Sequence, residues 1–158
     1  MSGRHPLQSA AVTLLREAFE GREPDKDYTW FVERKEGIMD ALATVDAQRA
    51  SKKPSESCAS IAAHAYHILF ALQSANSYLG REKPLGNWES SWLKQTATPD
   101  EWSAVSTKIW EEYVFFRDWF AAKQDWTEAD PETWIGALAQ LPHMAFHLGA
   151  IRQIMKIV

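Results

Sequence analysis

The chain has 158 residues, of which 46% are hydrophobic and 24% charged, with a net charge of -4. That length suits a single domain with a substantial core, and the composition excludes disordered and collagen-like classes. The acidic balance, with a pI of about 5.7, argues against a nucleic-acid binder, which must neutralise many phosphates. Periodicity is helical nearly everywhere. Helix 1 is predicted over Leu7–Glu20, with Ala11, Leu14, Leu15, Ala18 and Phe19 on one face and Gly21 as its stop. Residues 22–56 are mixed, with a short helix expected at 36–45. Helix 2 is predicted over Ser57–Leu79, ended by Gly80. A long connection follows from Arg81 to Thr98, containing Trp88 and Trp92. Thr98-Pro99-Asp100-Glu101 is a capping box with proline at the first helical position, so helix 3 should run from there to about Lys123. Asp130-Pro131-Glu132 opens helix 4, which should extend nearly to Val158, kinked or briefly broken at Pro142.

These elements predict an all-α domain of four main helices, with no repeats and no strand alternation. The short connection between helices 3 and 4 implies antiparallel neighbours. The long connection between helices 2 and 3 spans about 60 Å when extended, enough to leave those two helices parallel. Segments 57–80 and 133–151 carry no Asp, Glu, Lys or Arg. Their length approaches that of a membrane span, but histidines, glutamines and serines within them are costly in lipid. Both are therefore expected as central helices of a soluble bundle, with no membrane partner. The single cysteine, Cys58, excludes an internal disulfide. With no signal-peptide pattern, it favours a cytoplasmic location. Cys58 itself is expected as a buried structural thiol.

Four of the five histidines lie in the two uncharged segments. His143 and His147 are four apart, which on a helix places them about 6 Å apart along the axis and on one face. Two imidazoles so placed can share a metal ion, or they can be satisfied core histidines. Helix 2 offers His64 or His67 as a third donor, and spacing alone does not decide between them. His67 shares its face with Ser60, Ala63, Ala71 and Ser74, small side chains that leave room for an ion and a substrate. Three histidines leave a zinc-like ion with an open position, the arrangement of a catalytic site.

Ser60-Ile-Ala-Ala-His-Ala-Tyr-His67 resembles helix 2 of the DinB-like (DinB/YfiT-like) superfamily, where the metal histidine follows a leading Ser or Thr by seven residues. His143-Met-Ala-Phe-His147-Leu-Gly-Ala-Ile resembles that family's C-terminal H-x-x-x-H-x-G-x-I motif, and Asn87 to Trp92 is similar to one of its branches. Pro142 departs from the pattern. The resemblance spans nearly the whole chain. It implies an up-down-down-up four-helix bundle holding a divalent metal, zinc or nickel, through His67, His143 and His147, with His64 outside the ligand set. It further implies a metal-dependent enzyme, an S-transferase using a low-molecular-weight thiol or a hydrolase, acting on an unidentified small molecule. A non-catalytic metal-binding or stress-response protein is the alternative.

Among other residues, Glu33, Glu36, Glu111, Glu112 and Asp118 are expected as solvated charges, and His5 as exposed. Arg152 should point away from the metal. Trp88 and Trp92 either roof a pocket or pin their loop. The apolar area of the two uncharged helices, and the pairing common among relatives, predict a homodimer.

Overall fold

A helix starts where something can take its free backbone N–H groups, and the four long helices of this chain each begin at such a residue. The computed structural model describes residues 5–123 and 125–158. Helix α1 (Pro6–Glu20) is capped by His5, whose Nδ1 accepts from the Leu7 amide at 3.3 Å. Helix α4 (Ile61–Ser77) is capped by Ser60, α5 (Pro99–Ala122) by Thr98 and α6 (Pro131–Ile154) by Asp130. The Thr98 box is closed in both directions, Glu101 N–H to Thr98 Oγ1 at 3.2 Å and Thr98 N–H to Glu101 Oε2 at 2.8 Å. Two short helices, α2 (Ile38–Ala43) and α3 (Ala47–Ala50), and one 3-10 turn, η1 (Ser90–Trp92), complete the helical structure; the described residues contain no strand. No helix among them is long and apolar enough to cross a membrane.

The long helices share one contiguous apolar core, in which Leu15, Phe19, Ile61, Ile68, Leu72, Ile109, Tyr113 and Ile151 are almost wholly buried. Buried polar contacts set which ends meet. Gln8, near the start of α1, donates to the Phe120 carbonyl at the end of α5 at 2.7 Å, while Phe19, at the other end of α1, stacks on Tyr113. Ser60 donates to the Gln95 carbonyl just ahead of α5 at 2.6 Å. Asn76, at the far end of α4, donates to the Glu112 carboxylate in mid-α5, also at 2.6 Å. His64 near the start of α4 faces His147 near the end of α6.

Residues 22–37 are bound to the end of α1 by Glu17. Its carboxylate accepts from Thr29 Oγ1 and from the amides of Trp30, Phe31 and Val32. Burial alone would raise the Glu17 pKa, but these donors together hold it below the usual carboxylate value. Gly21 has φ 73°, and a Cβ there would sit 2.9 Å from the Glu33 carbonyl, so glycine is required both by conformation and by space.

Several expectations are corrected. The short helix expected over 36–45 forms as α2, and beyond it lies an unexpected α3, because the Asp46 carboxylate caps a new start through the Arg49 amide at 2.7 Å. Helix α4 starts at Ile61, four residues later than expected, because Ser60 provides the cap and its backbone N–H is held by Gln95 Oε1. Cys58 therefore lies in a turn ahead of the helix and is exposed, not buried. Helix α6 continues through Pro142 without a break. His5 is half-buried, edge-on to Trp134. Glu112 is buried between Asn76 and Arg81 rather than solvated. Arg152, expected to point away from the metal, pairs with Glu36 at 2.8 Å, which contradicts nothing in that expectation.

Candidate metal centre

The first turns of α4 carry His64 and His67 inward, and the last turns of α6 carry His143 and His147 to meet them. His67, His143 and His147 each offer a ring nitrogen within 4.8 Å of the other two, a group that could hold a metal ion. Among the described residues this group contains no carboxylate and no thiol. His67 and His147 are fully buried.

Hydrogen bonding fixes which nitrogen of His67 is free. The Ser91 hydroxyl donates its one proton to the Trp88 carbonyl at 2.6 Å. Its contact with His67 Nδ1 at 2.7 Å must then be accepted by Ser91, so His67 carries its proton on Nδ1. The lone pair is left on Nε2, which is buried and has no partner among the described residues. An orphaned acceptor in that position is costly unless something occupies it, and a cation fits. His147 has His64 Nδ1 at 2.9 Å from its own Nδ1, and His143 Nε2 at 2.9 Å from its Nε2. If His147 donates Nδ1–H to His64, its Nε2 is free as a ligand atom. His64 thus stands behind His147, as Ser91 stands behind His67, in the orienting role that second partners of metal-binding histidines usually have.

All four rings are neutral near neutral pH, as ligand histidines must be. Burial lowers His64 from the usual 6.5 to about 4. Burial, then repulsion from His143 and His64, lowers His67 to about 4. Burial, then repulsion from His143, His64 and His67, pushes His147 down to about 2, and burial also lowers His143.

The two tryptophans of the 81–98 connection cover the histidines. Trp92 stacks on His67 with ring centroids 4.1 Å apart and an interplanar angle of 20°. Trp88 lies flat against His143 at 5.3 Å and edge-on to His67 at 4.4 Å. They roof the site and pin the loop at once, so the two expectations for them are not alternatives. Ser91 is the residue that the sequence did not single out. Its only signal is its place between these tryptophans. The structure brings together the three histidines that the resemblance implied, where spacing had left His64 and His67 open, and His64 lies one ring behind them.

No family model matches the chain, and no curated protein or solved structure matches it at a significant level.

Proposed function

We propose that this chain is a metal-dependent enzyme that binds one divalent ion, zinc or nickel, through His67, His143 and His147. The observation that carries the reading is the buried, unpartnered Nε2 of His67 beside two further neutral imidazoles. An ion bound there would lower the pKa of a coordinated water or small thiol, supplying a nucleophile near neutral pH. The chain's own contribution is orientation and exclusion of water. Ser91 and His64 hold two rings in their tautomers, and Trp88 and Trp92 cover them. Three neutral donors leave the ion's charge uncompensated, which favours an anionic thiolate or hydroxide in the open position. We favour thiol-dependent S-transfer over hydrolysis, because a thiol ionises more readily than water.

The reading includes a DinB-like bundle of four helices, up-down-down-up. The meeting of Gln8 with Phe120, of Ser60 with Gln95, and of His64 with His147 supports that order. It also includes a cytoplasmic homodimer. Ile135 and Phe146 of α6 are 66% and 64% exposed, apolar surface that a second copy would cover. Light scattering should give twice 18.0 kDa; a single-chain mass at micromolar concentration would refute the dimer.

The chemistry is tested by replacing the ion with cobalt and titrating with a small thiol. A sulfur-to-metal charge-transfer band should grow to saturation. No response to thiol, together with no turnover across a panel of electrophiles, would overturn the enzyme in favour of a non-catalytic metal-binding protein.

A further inference from the structure

A cavity of about 760 Å³ opens beside His143 and runs between α4 and α6, within the range of sites for small organic ligands. We propose that it binds a neutral, mostly apolar molecule bearing one hydrogen-bonding group, which pairs with the Gln140 side chain. Its role as the substrate site rests on the metal reading above; its capacity to bind does not.

The walls are built from small residues on both helices, Ala71, Ser74 and Ala75 on α4 facing Gly136 and Ala137 on α6. Small side chains facing one another keep two packed helices from filling the space between them. Phe116 and Trp119 of α5 also line the cavity, and Trp88 meets it beside His143, so a flat apolar ligand finds aromatic surface there. Among the described residues no Lys or Arg lines the cavity, and the two charged ones that do, Asp130 and Glu132, are acidic. An anionic ligand therefore meets no countercharge. Gln140 lines the cavity, and its Oε1, turned away from solvent, has no hydrogen-bond partner among the described residues. An amide can present either its oxygen or its NH₂ after a half-turn, so it can accept from or donate to one polar group on a ligand. An amide with an unpaired oxygen is free to turn toward the cavity and satisfy that capacity with one polar group of a ligand.

Gly136 provides a test that spares the histidines. A Cβ built there meets nothing within 4 Å, and the residue lies in the interior of α6, where glycine is a poor helix former. Gly136→Leu should therefore fold while extending a side chain into the cavity. The probe is N-phenyl-1-naphthylamine, neutral and apolar with one N–H. Its control is 1-anilinonaphthalene-8-sulfonate, the same skeleton with a negative charge. Titrations follow probe fluorescence on metal-free protein. The expected result is saturable binding of one neutral probe per chain, at least about tenfold tighter than the sulfonate. Gly136→Leu should abolish it, and Gln140→Leu should weaken it about fivefold, the value of one ordinary hydrogen bond. No saturable binding, tighter binding of the sulfonate, or binding unchanged in folded Gly136→Leu would overturn the proposal. Circular dichroism checks that both variants fold. Metal content is measured separately on untreated protein. Probe binding without metal would sink the metal reading alone, and metal without probe binding would sink the cavity assignment alone.

Discussion

Alanine at His67, at His143 or at His147 is expected to weaken metal binding on the order of several-hundred-fold each. Apparent zinc binding energies of about 10–16 kcal/mol in four-ligand structural sites correspond to roughly 2.5–4 kcal/mol per donor, and a site with only three donors has none to spare. The two supporting residues should behave differently. His64→Ala and Ser91→Ala leave three donors in place but remove what fixes the tautomers of His147 and His67. Loss of such partners typically costs about 10–100-fold in affinity. His64→Asn, which keeps an acceptor for the His147 Nδ1–H, should recover part of the loss. The measurement is metal per chain after dialysis against a chelator series, on protein purified without a histidine tag. If His64→Ala empties the site while His67→Ala retains metal, the donor set is wrong.

What the sequence disclosed follows from how local each feature is. The starts of α5 and α6 were legible because Thr98-Pro99 and Asp130-Pro131 place cap and proline in adjacent positions, and both caps form. The start of α4 was misplaced by four residues because Ser57 and Ser60 are equally good caps in sequence. Gln95, 35 residues away, selects Ser60 by bonding its backbone N–H and hydroxyl. That one choice also moved Cys58 out of the helix and into solvent. Glu112 shows the same limit, since nothing on its own helix reveals that Asn76 and Arg81 will enclose it. The histidines were legible because four of them in two uncharged stretches is a pattern within the chain. Ser91 was not, because its role depends on the proton it gives to Trp88 and the one it takes from His67.

Metal-free protein is expected to lose stability in mild acid before its carboxylates titrate. The four clustered histidines, of which His64, His67 and His147 are buried, have pKa values below the unfolded value of about 6.5, with His64 and His67 at about 4, His147 at about 2 and His143 lowered as well. For a group whose pKa is depressed on folding, the unfolded chain binds protons first. The stability these rings confer as neutral groups is therefore complete above pH 6.5. It falls as the pH drops from 6.5 through 4, and His147 extends the loss lower. Each pKa unit is worth about 1.4 kcal/mol. The rings also repel one another when charged, so their shifts overlap, and the combined loss between pH 6.5 and 4 should be on the order of several kcal/mol. Glu17 follows the same sign at lower pH. Its pKa is held below the ordinary 4.5, so its contribution is intact over the upper part of that window and starts to fade only as the pH falls through about 4.5. Urea midpoints measured from pH 8 to pH 4 on chelator-treated protein should be level down to about 7 and then decline. Zinc should raise the midpoint at pH 7, by about 2.7 kcal/mol at 100 times its dissociation constant. That increment should vanish over the same acid range, because protons and the ion compete for the same lone pairs. A level midpoint between pH 6.5 and 5 in the metal-free protein would mean the four rings do not fold into a buried neutral cluster. The orphaned His67 Nε2 would then have no bearing on metal binding.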